Sequence, residues 1–104
     1  WDPDIIFLEA FGYDLSIEDL SKPEYQSLKA CKSKNIYRVL PNNYYGVSFA
    51  TELVNAYFIG SVLYPDQFKD VNIEMKANEI YEMFVGNPVY DDMKKEWGEL
   101  QKVK

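Results

Sequence analysis

The chain has 104 residues, of which 47% are hydrophobic and 27% charged, and its formal net charge is −6. These values predict one folded domain and exclude a disordered chain, and the acidic balance without a block of Lys or Arg argues against a nucleic-acid or anionic-membrane surface. The sequence has no His and one Cys, Cys31, which we expect to be packed rather than reactive. Ser-His-Asp and Cys-His catalysis, an internal disulfide and a His-bearing metal site within this chain are therefore excluded.

The first predicted element is a strand. Residues 5–8 form the apolar run Ile-Ile-Phe-Leu, which follows a Pro and is closed by Gly12, as is typical of a parallel strand buried on both faces. Two Ser-x-x-acid sequences, at 16–19 and 21–24, predict helix starts. A helix through 23–31 is expected to follow them.

A second predicted strand covers residues 35–41, NIYRVLP, where the pattern alternates and β-forming residues are common. It completes a strand–helix–strand unit, and such units pair their strands in parallel. Arg38, the only arginine, lies in the middle of this strand. It could form an ion pair with a neighbour or reach a ligand carboxylate, and the structural role is favoured.

Three helices are predicted after the second strand. Ser48 caps the first, which Pro65 stops, the second covers 72–85 and ends at Gly86, and the third begins at the Asn-Pro pair 87–88. The expected apolar faces consist of Phe49, Leu53, Ala56, Tyr57, Gly60, Leu63 and Tyr64 in the first helix, Ile73, Ala77, Ile80, Tyr81 and Phe84 in the second, and Val89, Met93 and Trp97 in the third.

The end of the chain is predicted to be a polar tail over residues 98–104. Asp91 and Asp92 precede it, in the first turn of the third helix, where they complement the helix dipole rather than form a metal or acid/base site. There are no repeats and no linker, so residues 1–104 are interpreted as one domain.

These elements predict an α/β fold, a partial three-layer Rossmann-like lobe with a short parallel sheet followed by C-terminal helices. Parallel sheets are covered on both faces and typically have about five or six strands. We therefore expect the chain to be the end of a longer protein whose preceding part supplies further strands.

Four segments carry a resemblance to a known family. They are DPDIIFLEAFG (2–12), YQSLKACKSKNIYRVLP (25–41), NNYYGVSFATELVNAYFIGSVLYPDQFKDV (42–71) and ANEIYEMFVGNPVYDDM (77–93). In this order and at these intervals, they resemble the C-terminal portion of the substrate-binding proteins of iron-complex ABC importers. Those proteins belong to the helical-backbone class of periplasmic binding proteins, which includes siderophore, haem and cobalamin binders.

The resemblance implies a two-lobed, monomeric receptor that holds an iron complex in the cleft between its lobes, with this chain as most of the second lobe. It implies no intrinsic cofactor, since the iron chelate is the transported ligand. The liganded receptor would dock on an ABC permease whose ATPase drives import. It would act outside the cytoplasmic membrane, in the periplasm or as a cell-surface lipoprotein, and touch the membrane only through the permease or an upstream lipid anchor.

The candidate ligand contacts follow the two predicted strands, because open parallel α/β sheets bind ligands beyond the carboxyl ends of their strands. They are Phe11 and Tyr13 on one loop and Asn42, Asn43, Tyr44 and Tyr45 on the other. An aromatic and amide wall of this kind suits a planar or catecholate-like iron chelate. The alternative for the tyrosines is packing on the neighbouring helix, and Gly12 and Gly46 are explained by the backbone turns.

Permease docking gives one further candidate. The family presents an acidic residue on the outer face of each lobe, and Glu52, near the start of the strongest helix, is the first candidate here. Glu18 and Asp19 are less well placed, and an ordinary solvated charge is the alternative for each.

Two other classes of function remain open. A small α/β protein-interaction domain would use the same aromatic surface against a partner chain, and it would expose an apolar patch. An enzyme would need a base drawn from carboxylates, lysines and tyrosines, and we expect no enzymatic activity and no catalytic residue.

Overall fold

Helices and one small sheet make up the structure, a computed structural model that describes residues 1–42, 46 and 48–103. In chain order the elements are β1 (Ile6–Glu9), a short 3₁₀ helix (Ala10–Gly12), α1 (Tyr13–Leu20), α2 (Lys29–Lys32), β2 (Ile36–Val39), α3 (Phe49–Leu63), α4 (Ile73–Val85), α5 (Tyr90–Trp97) and β3 (Gln101–Lys102).

β2 is the central strand of the sheet. It pairs in parallel with β1, with Leu8 opposite Arg38, and antiparallel with β3, with Arg38 opposite Gln101. The α/β class and the parallel pair are as predicted. The prediction of a polar tail over 98–104 is wrong in part, because Gln101–Lys102 form β3. A strand of two polar residues has no alternation of apolar residues by which the sequence could predict it.

Helices cover both faces of the sheet. On one face, the Tyr37 ring lies 6.2 Å from that of Phe58 in α3. On the other, the guanidinium carbon of Arg38 lies 3.6 Å from the centre of the Tyr13 ring at the start of α1. Neighbouring positions of β2 therefore contact different helices, as the alternation of side chains along a strand requires. The order of layers is α1, sheet, α3.

β1 is an edge strand of this sheet, and the predicted burial of residues 5–8 on both faces is wrong. Only Leu8 of this run is buried, and Ile5, Ile6 and Phe7 are half-buried. The Ile6 N–H donates to the Asn35 carbonyl at 3.0 Å, so the Phe7 N–H at the next position points away from β2.

The helices between β1 and β2 differ from the prediction. α1 begins at Tyr13, before the predicted start at Ser16, and Ser21 ends α1 instead of starting a helix. Turns follow, and only residues 29–31 of the predicted 23–31 helix are helical, in α2, which ends at Lys32. A residue far away in the sequence stabilises the start of α2, because the Lys29 N–H donates to the Asp2 carboxylate at 2.8 Å. The local sequence around Lys29 gives no sign of this contact. Cys31 in α2 is half-buried and forms no disulfide.

α3 begins as predicted but buries a different face. Ser48 Oγ accepts the Thr51 N–H at 3.3 Å, which confirms the predicted cap, and the helix ends at Leu63 before Pro65. Its buried residues are Ala50, Thr51, Val54, Asn55 and Phe58. Because α3 is apolar on nearly every side, periodicity could not select the face, and Phe49 from the predicted stripe is 69% exposed.

α4 confirms its predicted boundaries, whereas α5 corrects them. The Asn72 side chain caps α4, and Gly86 ends it with a left-handed φ of 81°. α5 begins at Tyr90, so the Asn-Pro pair 87–88 does not start it. Instead the Tyr90 N–H donates to Asn78 Oδ1 of α4 at 3.1 Å, and a neighbouring helix supplies the cap.

The core lies between α3, α4, α5 and the end of β2. Its buried members are Leu40, Ala50, Val54, Ala77, Ile80, Tyr81 and Tyr90. The predicted stripe consists of Val89, which directly precedes α5, and of Met93 and Trp97 in α5. It packs against this core and is half-buried. None of the helices described here combines the length and apolar character needed to cross a membrane.

Candidate functional site

A cavity of about 260 Å³ lies at the carboxyl end of β2. It opens between the segment that follows β2 and the helices α3, α4 and α5. Its walls include Asn42, Ser48, Thr51, Tyr81, Met93 and Trp97. The cavity occupies the edge of the sheet where open parallel α/β structures bind ligands, which is the location expected from the sequence.

Two hydroxyl groups form the buried polar part of the cavity wall. Thr51 Oγ1 and the Tyr81 hydroxyl are 2.7 Å apart, and Ser48 Oγ donates to Thr51 Oγ1 at 3.1 Å. Burial raises the pKa of Tyr81, although the hydrogen bond with Thr51 opposes that shift. The phenol therefore stays protonated and uncharged at neutral pH.

Asn42, a predicted ligand residue, lies in this wall and is held by two carboxylates. Its backbone N–H donates to Glu9 Oε1 at 3.0 Å, and its Nδ2 donates to Glu52 Oε1 at 3.3 Å. One carboxylate ends β1 and the other belongs to the first turn of α3. The two contacts fix Asn42 between the strand and the helix before any ligand arrives.

Phe11 reaches the same region through Trp97. The two ring centres are 6.4 Å apart, and Phe11 is 64% exposed. Trp97 was predicted only as part of an apolar helix face, so its presence in the cavity wall is new. The one available signal was an aromatic residue at the end of a helix directly before a glycine, and that signal is weak.

Tyr13, another predicted contact, packs against Arg38. The guanidinium carbon of Arg38 lies 3.6 Å from the centre of the Tyr13 ring, and Gly98 lies on the arginine as well, since a Cβ there would be 2.0 Å from Nη1. Arg38 forms no ion pair with any acidic residue that the structure describes, and its Nε is buried without a hydrogen-bond partner. The structural role predicted for Arg38 is thus fulfilled by cation–π stacking instead of a salt bridge.

The remaining predicted ligand residues, Asn43, Tyr44 and Tyr45, lie outside the described residues. Contact of these three with a ligand stays a prediction.

The acidic candidates are exposed. Glu52 is near the cavity through its contact with Asn42. Glu18 and Asp19 lie on α1, where Asp19 pairs with Lys22. None of the three is shown to contact a permease, and docking stays a prediction.

The two aspartates at the start of α5 form ion pairs with lysines of the same helix. Asp91 pairs with Lys94 at 3.6 Å and Asp92 with Lys95 at 3.8 Å, each one turn further on. Both aspartates lie in the first turn of the helix, as predicted. Across residues 1–42, 46 and 48–103, no group of three or more Cys, Asp or Glu side chains is arranged to hold a metal ion.

A second, larger cavity of about 490 Å³ borders the outer side of β1. Its walls are almost entirely apolar and include Trp1, Ile5, Phe7 and Leu28. A ligand site normally combines apolar walls with a few convergent polar groups, and the smaller cavity beside Trp97 meets that description better.

Comparison of the chain with protein-family models and with the curated proteins gives no match in either case.

Proposed function

We propose that this chain is the second lobe of the substrate-binding component of an ABC importer, and that the cavity beside Trp97 is its half of an iron-complex site. The observation that carries the proposal is the convergence of Phe11, Asn42 and Trp97 at the carboxyl ends of β1 and β2. The chain would bind and deliver its ligand without catalysis, outside the cytoplasmic membrane, to a permease with a paired ATPase.

The composition of the wall supports a chelate as ligand. Aromatic rings offer large flat contact areas with few rotatable bonds, so little conformational entropy is lost on binding. Asn42 adds an amide oxygen for ligand contact while its N–H groups are held by Glu9 and Glu52. A site ordered in this way before binding loses less free energy on association.

Glu52 is the proposed contact for the permease. Its carboxylate is exposed and also accepts a hydrogen bond from Asn42 in the cavity wall. A permease group that bound Glu52 would therefore touch a residue linked directly to the ligand site. This arrangement supports a role for Glu52 in reporting the liganded state to the permease.

The test is a titration of ferric chelates and haem against the full-length protein, followed by quenching of tryptophan and tyrosine fluorescence. Trp97→Phe should weaken binding by about fivefold to tenfold, since a smaller ring loses about 1 kcal/mol of contact. Trp1→Phe is the matched control, because Trp1 is fully exposed and borders the other cavity.

An interaction domain is the competing outcome of this experiment. Several large apolar side chains of α3 and α4 are exposed, among them Phe49 at 69%, Met75 at 73% and Met83 at 69%. Absence of binding to every chelate, together with tight binding of another protein through these residues, would reject the transport proposal in favour of that alternative.

A further inference from the structure

An exposed apolar groove lies between α3 and α4. The two helices pack side by side, and Thr51 contacts Tyr81 at 2.7 Å. Further along, Lys76 Nζ lies 5.4 Å from the centre of the Tyr57 ring. Residue numbers rise along α3 while those of their partners fall along α4, so the helices are antiparallel. Their facing edges therefore run parallel over most of their length.

Two rows of side chains form the walls of this groove. In α3, Phe49, Leu53 and Tyr57 follow one another at intervals of four residues and share one side of the helix. In α4, Lys76 and Met83 are two turns apart and share the side that meets Tyr57. Phe49, Leu53 and Met83 are exposed. The groove thus presents contiguous apolar surface of the kind that marks interaction sites.

A depression of about 290 Å³ lies within the groove. Its walls are Leu53, Ala56, Tyr57 and Phe68. The Phe68 ring meets the Tyr57 ring edge-on with 6.2 Å between their centres, and a Cβ added to Gly60 would lie only 2.5 Å from Phe68. Because Gly60 has no side chain, Phe68 can lie close against α3. The depression is therefore formed in advance and can accept one large apolar side chain as an anchor.

The two helices carry an excess of negative charge. Their charged residues are Glu52, Glu74, Glu79, Glu82 and Lys76. Lys76 pairs with Glu79 at 3.0 Å, and Glu74 pairs with Lys94 of α5 at 2.9 Å. Glu52 and Glu82 form no ion pair with any residue that the structure describes. A positively charged partner complements this surface, whereas a negatively charged partner is repelled.

A second copy of this chain does not supply a complementary surface. Among the helices described, α1 has no Lys or Arg, α2 has four residues, and Lys94 and Lys95 of α5 are paired with acidic residues. Two copies would also each carry a net charge of −6. An extended segment has no edge to pair with here, because the backbone groups of α3 and α4 are bonded within each helix.

We propose that the groove between α3 and α4 docks a cationic amphipathic helix of another protein. Apolar residues three and four positions apart in that helix lie along Phe49, Leu53 and Met83, and one large apolar side chain enters the depression beside Phe68. Lys and Arg residues of the same helix lie beside the glutamates of α3 and α4. None of these groove residues lines the cavity beside Trp97, so the surface is independent of the proposed function.

The experiment titrates fluorescein-labelled synthetic peptides with the full-length protein and follows fluorescence anisotropy. The probe consists of Leu and Lys arranged with all Leu on one face of a helix of about the length of α3. One comparison peptide has Glu in place of every Lys, and the other has the same Leu and Lys content in strict alternation, which is a strand pattern. The probe should bind at least about tenfold more tightly than either.

Absence of binding by the probe overturns the proposal. Equal binding of the Glu peptide overturns it as well, because charge then has no role, and equal binding of the alternating peptide shows that no helical face is recognised. The chelate titration is a separate measurement, so the failure of this proposal and the failure of the proposed function are distinguishable.

Substitution of an exposed apolar residue tests whether the probe lies in the groove. Met83→Ser should weaken binding about fivefold, because an apolar contact of the groove is lost. Leu15→Ser is the matched control, because Leu15 is similarly exposed but lies on α1, at the other face of the sheet, and its affinity should equal that of the wild type. Wild-type affinity in Met83→Ser, with circular dichroism unchanged, would place the peptide elsewhere and overturn the proposal.

Substitution of one glutamate tests the charge. Glu79→Gln leaves the Lys76 ammonium without its carboxylate partner in the groove, so binding of the Leu and Lys probe should weaken about threefold at low ionic strength. Glu24→Gln changes the net charge by the same amount in the exposed turns after α1, and it should leave the affinity unchanged. An equal loss in both variants would show that only the overall charge of the chain attracts the probe, which contradicts docking in the groove.

Discussion

Asn55 shows how one buried side chain completes the backbone of β2. Its Oδ1 accepts the Leu40 N–H at 3.0 Å, and its Nδ2 donates to the Leu40 carbonyl at 2.8 Å. Leu40 is 1% exposed and directly follows the strand. Without Asn55, both backbone groups of Leu40 would be buried without these partners, at the point where the chain turns toward the candidate site.

Replacing Asn55 with Ala should therefore be costly. Each buried backbone group left without a partner costs about 1–3 kcal/mol, so the free energy of unfolding should fall by about 3 kcal/mol. Urea unfolding monitored by circular dichroism measures the change. Asn35→Ala is the control, because that side chain only accepts from Lys102 on the surface, and its cost should stay within about 0.5 kcal/mol. A similarly small cost for Asn55→Ala would show that the Leu40 groups find other partners.

The burial of Tyr81 should lower the free energy of unfolding in alkaline solution. Burial raises its pKa in the folded state, while an unfolded tyrosine ionises near about pH 10. The folded protein thus holds the proton more tightly, so this stabilisation is complete below about pH 10 and is lost as pH rises toward the folded pKa.

Tyr81→Phe removes this titration and should flatten the decline in the free energy of unfolding as pH rises above about 10. At neutral pH the variant should be about 1 kcal/mol less stable, because the hydrogen bond with Thr51 is lost. Urea unfolding at neutral pH and at a series of alkaline pH values gives both numbers. Tyr64→Phe, at a 60% exposed site, is the control and should decline as the wild type does. An unchanged slope in Tyr81→Phe would contradict the effect of burial.

At the scale of elements, the sequence predicted those helix boundaries that depend only on neighbouring residues. Ser48 caps α3 as expected, since a cap needs only the residues of one turn. Asn72 was predicted as the first residue of the second helix and is the cap of α4. The start of α5 at Tyr90 depends on Asn78 of another helix, and β3 at 101–102 exists only because β2 is beside it. Contacts of this kind have no local pattern, so the sequence predicted neither.

The residues of the candidate site likewise comprise some that the sequence could predict and some that it could not. Phe11 and Asn42 were predictable, because both directly follow strands and the sheet fixes where strand ends lie. Trp97 was not, since only the packing of α5 brings it next to Phe11. The stack of Arg38 on Tyr13 was missed as well, because a strand pattern does not show which helix covers an arginine.

The turn after α5 provides a test of packing at the element scale. Gly98 has φ of 87°, and a Cβ there would lie 2.0 Å from Arg38 Nη1. Gly86, after α4, has φ of 81° with nothing within 4 Å of an added Cβ. Gly86 has ψ of 0°, in the left-handed helical region, whereas Gly98 has ψ of 170°, in a region that is essentially open only to Gly. Ala at position 98 would therefore suffer more backbone strain than Ala at position 86, and it would also collide with Arg38.

Gly86→Ala should therefore cost about 1–2 kcal/mol from the left-handed backbone. Gly98→Ala should cost about 1–3 kcal/mol more, because its backbone is more strained and Arg38 is pushed off Tyr13. Thermal and urea unfolding of the two variants measure the difference. Equal costs would contradict both the additional backbone strain at Gly98 and the collision with Arg38.

At the scale of the whole molecule, β2 joins the two halves of the chain. The first half supplies β1 and α1, and the second supplies the helical core and β3. The Val103 N–H donates to the Ile36 carbonyl at 2.7 Å, and the Ile6 N–H donates to the Asn35 carbonyl at 3.0 Å. Because both halves bond to neighbouring residues of the same segment, loss of β2 should separate them in one cooperative step.

The central position of Arg38 has a practical consequence, because it is the only arginine in the chain. An arginine-specific protease can cut this sequence at one peptide bond, Arg38–Val39, which lies within the strand paired on both sides. Such an enzyme can cut this bond only after it has left the sheet. The cleavage rate therefore reports how often the central strand opens.

We expect the 104-residue chain to resist this protease in native buffer, and to be cut into two fragments at rates that rise with urea. Gel densitometry gives the rate, and Gly98→Ala should be cut faster than Gly86→Ala because it disturbs Arg38 directly. Rapid cutting of a chain that keeps its circular dichroism would mean that β2 opens without unfolding. Because the chain has a single arginine, the rate at which one pair of proteolytic fragments appears reports how often β2 opens locally.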